Sequence, residues 1–155
     1  MRSVRESIVI RAPRERVFRI AATEDSLPRF FRGALGLIPS IESMKTESPV
    51  REGALREVVL GDGSRIVERV TAWDPPRFHA YEAHEKNPLQ ALLFAKLSAS
   101  FAFEEEGEGT RVTWTYSLVP RTPFLLPVVA LVLFAFRKAQ RRCLEAIKSE
   151  LETSD

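Results

Sequence analysis

Lys96-Leu97-Ser98-Ala99-Ser100-Phe101-Ala102-Phe103-Glu104 and Thr110-Arg111-Val112-Thr113-Trp114-Thr115-Tyr116-Ser117-Leu118-Val119 flank the acidic glycine turn Glu106-Gly107-Glu108-Gly109. In a strand, alternate side chains share a face. The first segment then presents Leu97, Ala99, Phe101 and Phe103 on one side and Ser98, Ser100 and Ala102 on the other. The second presents Val112, Trp114, Tyr116 and Leu118 against Arg111, Thr113, Thr115 and Ser117. The pair predicts an antiparallel hairpin with one aromatic face turned inward.

Upstream the same grammar repeats. Residues 4–10 read as a strand rich in β-branched side chains. Pro13 then stands where a first helical residue is favoured, and Val17, Phe18, Ile20 and Ala21 give a short helical face. Thr23 with Glu24 and Asp25 reads as the cap of a second short helix fading near Pro28–Phe31. Strands follow at Ile38–Lys45, Ala54–Leu60, Ser64–Trp73 and Arg77–His84, with Gly61-Asp62-Gly63 as a hairpin turn and Asp74-Pro75-Pro76 as a stop. Asn87–Ala95 reads as a greasy loop.

Downstream, after Pro120 and Pro123, residues 124–152 read as one long helix. Ala139, Cys143, Ile147 and Leu151 form an apolar stripe, with Arg141, Glu145, Lys148 and Glu152 opposite. Phe124–Phe136 is apolar all round. As helix it covers roughly 20 Å, short of the ~30 Å hydrocarbon core of a membrane.

The chain has 155 residues, the size of one domain spanning 1–155. Hydrophobic residues make up 45%, enough for a packed core. Lys and Arg number 23 against 21 acids, so the balance argues against a nucleic-acid partner. That balance is uneven, because no acid occurs from Gly109 to Leu144 while six Lys or Arg do. One cysteine excludes an internal disulfide framework. With only two histidines beside it, no metal is expected, nor any cofactor. Cys143 sits on the apolar stripe and reads as core. The polar N-terminus lacks a signal-peptide core, which points to the cytoplasm.

Together these stretches resemble the START-like (helix-grip, SRPBCC) superfamily, in its polyketide cyclase/dehydrase-like branch. Ser7–Phe18 is similar to the family's opening strand and first helix, and Asp25–Phe31 to its second helix. Glu68–Arg77 is similar to a central strand and its turn, Gly109–Trp114 to the start of the last strand, and Leu144–Glu152 to the end of the long helix. The resemblance implies an α+β fold: a curved antiparallel sheet of six or seven strands around a long C-terminal helix, two short helices after the first strand, and an apolar cavity between. Family members bind lipids, sterols, polyketides, quinones or hormones, and some catalyse cyclisation or dehydration. No universal catalytic motif exists to carry over, and the run at 124–136 is greasier than the family usually shows.

Within such a cavity, Ile66 and Val70 define an inward phase that also turns Glu68 inward. For Arg77–His84, composition leaves two phases open, and the resemblance favours His79 and Tyr81 inward. The ligand-binding candidates are Glu68, His79, Tyr81, Phe101, Phe103, Trp114 and Tyr116 from the sheet, with Leu131 and Phe134 from the helix. Glu68, His79 and Tyr81 are also the candidate acid–base groups, since a desolvated carboxylate and an imidazole suit enolisation or dehydration. The competing reading pairs Glu68 with a neighbouring arginine and makes His79 a hydrogen-bonded core residue.

The expected function is binding of a hydrophobic small molecule: lipid, polyketide or quinone-like. One alternative is a cyclase or dehydratase acting on an aromatic or polyketide-like substrate. Another is a membrane-associated or dimeric accessory protein, with any peripheral membrane contact made through residues 124–142 and the chain a monomer or homodimer.

Overall fold

A computed structural model of the chain describes residues 1–23 and 27–153. Strand β1 (Arg2–Ile10) leads into α1 (Arg14–Ala22) and the single turn α2 (Leu27–Phe30). Five strands follow, interrupted once: β2 (Ile41–Thr46), β3 (Leu55–Leu60), β4 (Arg65–Asp74), β5 (Phe78–Glu85), then α3 (Pro88–Leu93), then β6 (Phe94–Glu106). The chain closes with β7 (Gly109–Pro120), a 3₁₀ turn (Pro123–Leu125) and α4 (Leu126–Thr153).

The seven strands form one curled antiparallel half-barrel in the order β1-β7-β6-β5-β4-β3-β2. Every neighbour but one is sequential, with β3–β4, β4–β5 and β6–β7 joined by tight turns and β5–β6 joined through α3. The exception is β1, which pairs with β7, so the α1–α2 segment carries the chain from one sheet edge to the other. The predicted alternation is the observed one. Leu97, Ala99, Phe101 and Phe103 are buried, as are Val112, Trp114 and Leu118, while Ser98, Ser100 and Thr113 are half-exposed on the outer face.

Helix α4 is about 42 Å long at 1.5 Å per residue. It lies along the concave face on a stripe of Val129, Leu133, Phe136, Ala139, Gln140, Cys143, Ile147 and Leu151. These recur at three- and four-residue spacing, so one side of the helix faces the sheet throughout. Each large apolar side chain removed from water there is worth about 1.5–3 kcal/mol. By length and composition the segment Pro123–Thr153 could cross a membrane. Its buried stripe is nevertheless the seam on which the sheet closes, and withdrawing it would open the core. Cys143 lies on that seam, its thiol pushed up to about 12 by burial.

Local structure refines two readings. Thr23 closes α1, its hydroxyl donating to the Arg19 carbonyl oxygen, and its own carbonyl oxygen accepts from the Leu27 N–H at the start of α2. Glu24 and Asp25 lie outside the described residues. The segment expected as a loop at 87–95 contains α3, which opens on a reciprocal cap. The Asn87 side chain accepts from the Gln90 N–H, and the Gln90 side chain accepts from the Asn87 N–H.

Candidate functional site

Between the sheet and the first half of α4 lies a cavity of about 210 Å³. Val58, Leu60, Ile66, Leu97 and Trp114 contribute from the strands, and Val132 and Phe136 from α4. The loop after α2 closes one side with Leu37, Ile38 and Pro39, and α3 closes another with Leu89, Gln90 and Leu93. That loop turns on Gly33, whose φ is +78°. A Cβ there would fall 2.0 Å from the Ile38 carbonyl oxygen, so only glycine allows the fold-back. On the mouth side, the Asn87 amide donates to Ser64 Oγ, tying the start of α3 to the β3–β4 turn.

Asp62, Asn87 and Gln90 line the cavity from the β3–β4 turn and the start of α3, and the sheet contributes the polar groups Glu68, Tyr81 and Tyr116. Tyr81 and Tyr116 occupy one cross-strand row, on either side of the small Ala99. Among the described residues neither tyrosine hydroxyl has a hydrogen-bond partner. Burial, with the Glu68 charge nearby, raises both phenols well above their ordinary range, so both hold their protons. Burial also raises the Glu68 carboxyl above the usual carboxylate range, and Arg56 offsets only part of that.

Arg56 is the residue the sequence reading missed. It stands directly across from Glu68 in the β3–β4 register and is 2% exposed. Its Nε lies 3.2 Å from Glu68 Oε1, its guanidinium carbon sits 4.9 Å from the centre of the Tyr81 ring, and its Nη2 is 3.1 Å from His79 Nε2. Alternation along β3 carried the signal: Val58 and Leu60 are inward, so Arg56 must be too.

That contact decides the role of His79. An arginine only donates, so Nε2 must accept, and the imidazole proton sits on Nδ1. Nδ1 is buried with no partner among the described residues. Burial, helped by the Arg56 charge, lowers the histidine to about 3. His79 is thus a neutral core residue behind Tyr81, its lone pair already engaged, and it does not line the cavity. Phe101 and Phe103 also lie in the core behind the wall, where Phe101 stacks on Trp114 at 4.6 Å and Phe103 meets Phe18 edge-on.

On α4 the expected and observed faces differ. Leu131 and Phe134 are 53% and 57% exposed and point away from the sheet, and Val132 and Phe136 form the cavity wall instead. A segment apolar on every side gives no phase of its own. The stripe Ala139-Cys143-Ile147 does, and when continued back at helical spacing it reaches Phe136 and Val132. Phe136 stacks on Tyr116 at 3.7 Å and meets Trp114 edge-on at 5.7 Å, which fixes that side of the cavity.

Several solved structures share this architecture. XoxI from Bacillus cereus matches with a TM-score of 0.74 at 18% identity, over 99% of this chain and 97% of its own. A START superfamily protein from Mycobacterium smegmatis matches at 0.73 and 13% identity, over 96% and 98%. The di-domain ARO/CYC BexL of the BE-7585A biosynthetic pathway matches at 0.71 and 18% identity, over 99% of this chain and 50% of that one. At these identities the likeness shows the fold alone. No curated protein matches the chain in sequence. A sequence model of one family matches residues 1–152, and the chain belongs to that family, described as polyketide cyclase / dehydrase and lipid transport.

Proposed function

We propose that the protein binds an uncharged hydrophobic small molecule in the cavity between sheet and α4, its one polar end directed at Glu68, Tyr81 and Tyr116. The observation that carries this reading is an apolar cavity whose few polar groups converge and have hydrogen-bonding capacity to spare. The size supports it as well. A cavity of roughly 150 Å³ holds benzene, so 210 Å³ takes a body of about two fused rings, and a longer tail would leave by the mouth. The charge supports a neutral ligand. Among the described residues no lysine or arginine lines the cavity, and Arg56 behind it is engaged by Glu68 and His79, so an anionic head finds no free cation there. A hydroxyl or carbonyl meets the two phenols and the Glu68 carboxyl without bringing a further charge into the cavity.

The cyclase or dehydratase reading narrows to one group. His79 has no free lone pair to take a proton, so acid–base work on a bound ligand falls to Glu68 with Tyr81 beside it. Its carboxyl, raised by burial, is suited to donating a proton.

Native mass spectrometry of gently purified protein, followed by organic extraction, tests the binding reading. The expected result is a neutral apolar molecule released from the wild type and absent from Ile66→Trp, in which an indole fills the cavity. A molecule retained equally by Ile66→Trp would place binding elsewhere and overturn the reading.

A further inference from the structure

The outer face of α4 changes character along its length. Its first turns expose Leu126, Leu131 and Phe134, and its next turns expose Arg137, Lys138, Arg141 and Arg142. Beside the apolar end lie Phe124, 92% exposed, and α3 with Leu89 and Leu92, 65% and 70% exposed. Arg121 holds these two segments together: its backbone N–H and its side chain donate to the Leu93 and Ala91 carbonyl oxygens. Leu89 also lines the cavity, as does Leu37 on the opposite loop, 49% exposed. Large apolar side chains therefore cluster at the cavity mouth, where water would otherwise meet a ligand. Single exposed leucines are ordinary on a protein surface, but a contiguous group of this kind marks an interaction face.

Charge identifies the partner. The segment 109–144 holds no acid at all. Arg137 and Arg141 share one carboxylate, that of Glu6, which leaves a net positive charge. The Lys138 ammonium sits 5.1 Å from the centre of the Phe134 ring, and neither it nor Arg142 has an acidic partner among the described residues. An apolar end followed by a basic belt matches the layering of an anionic bilayer, with acyl chains beneath phosphate headgroups. We propose that this face docks on an anionic membrane surface, with Phe124 and Leu92 inserted and Lys138 and Arg142 at headgroup level. The docking stands on its own. Its use, passage of a ligand between bilayer and cavity, rests on the binding role proposed above.

Co-sedimentation with phosphatidylcholine vesicles, with and without phosphatidylglycerol, tests the docking. Binding is expected with phosphatidylglycerol at low salt, weakening as salt rises. The double variant Leu92→Glu/Phe124→Glu is expected to lose about tenfold or more in partitioning. Both positions are exposed and neither lines the cavity, so its circular dichroism and its binding of small apolar probes in solution stay as in wild type. Lys138→Glu/Arg142→Glu is expected to abolish the preference for phosphatidylglycerol. Absence of vesicle binding at low salt, or equal binding by the Leu92→Glu/Phe124→Glu variant, overturns the proposal. So does a stable dimer in sedimentation equilibrium that the same variant dissociates, because the face would then be covered by a second copy.

Discussion

Removing the Arg56 side chain alone would leave the Glu68 carboxylate buried without its partner. Breaking one half of such a pair costs about 3–5 kcal/mol, whereas replacing both halves by apolar groups of similar volume is often neutral. Arg56→Ala should therefore lower the urea midpoint steeply, and Arg56→Met/Glu68→Leu much less. Equal losses from the two would mean that the pair contributes little as a pair. His79 adds a pH dependence. It is neutral in the fold down to about 3 but charges near 6.5 in the unfolded chain, so the unfolded state binds the extra proton between those values. Stability from this group is complete above pH 6.5 and falls as pH drops towards 3, by up to about 1.4 kcal/mol per unit. Glu68, raised in the fold, works in the opposite sense: its contribution grows as pH falls through its folded value towards 4.5. His79→Gln should flatten or reverse the wild-type acid slope in chemical denaturation between pH 6.5 and 4.5. An unchanged slope would show that His79 is not the group responsible. Glu68 was legible in the sequence because Ile66 and Val70 set its phase. Arg56 was overlooked because an arginine in a strand suggests the solvent face, although Val58 and Leu60 fix it inward.

At the scale of elements, α3 and the first half of α4 wall the cavity opposite the sheet. Asn87→Ala removes the cap of a six-residue helix and its link to Ser64. A lost cap typically costs about 1 kcal/mol. The expected result is faster amide exchange confined to residues 88–93, with β6 and β7 unchanged; slow exchange throughout would show that α3 is held by packing alone. Phe136→Ala removes the ring wedged between Tyr116 and Trp114, and comparable core truncations cost about 3–5 kcal/mol. The strands were legible because apolar residues alternate without a break from Leu97 to Phe103 in β6 and from Val112 to Leu118 in β7. Helix α3 was not, because six residues show too little of the 3.6 period. Its signal was local, Asn87-Pro88 followed by Gln90, a capping residue with proline at the first helical position.

Over the whole molecule, a nearly neutral total conceals a chain with two unlike sides. One carries the acidic hairpin Glu104–Glu108, and the other the mouth of the cavity with its exposed leucines and the basic part of α4, which holds no acid up to Leu144. The order of elements made the helix-grip architecture legible, since seven strand segments and one long terminal helix leave few ways to close a core. The cavity itself was not legible in detail, because its volume depends on which side chains of an all-apolar helix turn inward. Titration with prodan, a neutral naphthalene fluorophore carrying one carbonyl, tests the central claim most directly. The account predicts a saturable, blue-shifted emission with wild type that is lost in Ile66→Trp. Prodan emission that is identical in both proteins, or that never shifts with wild type, would contradict it.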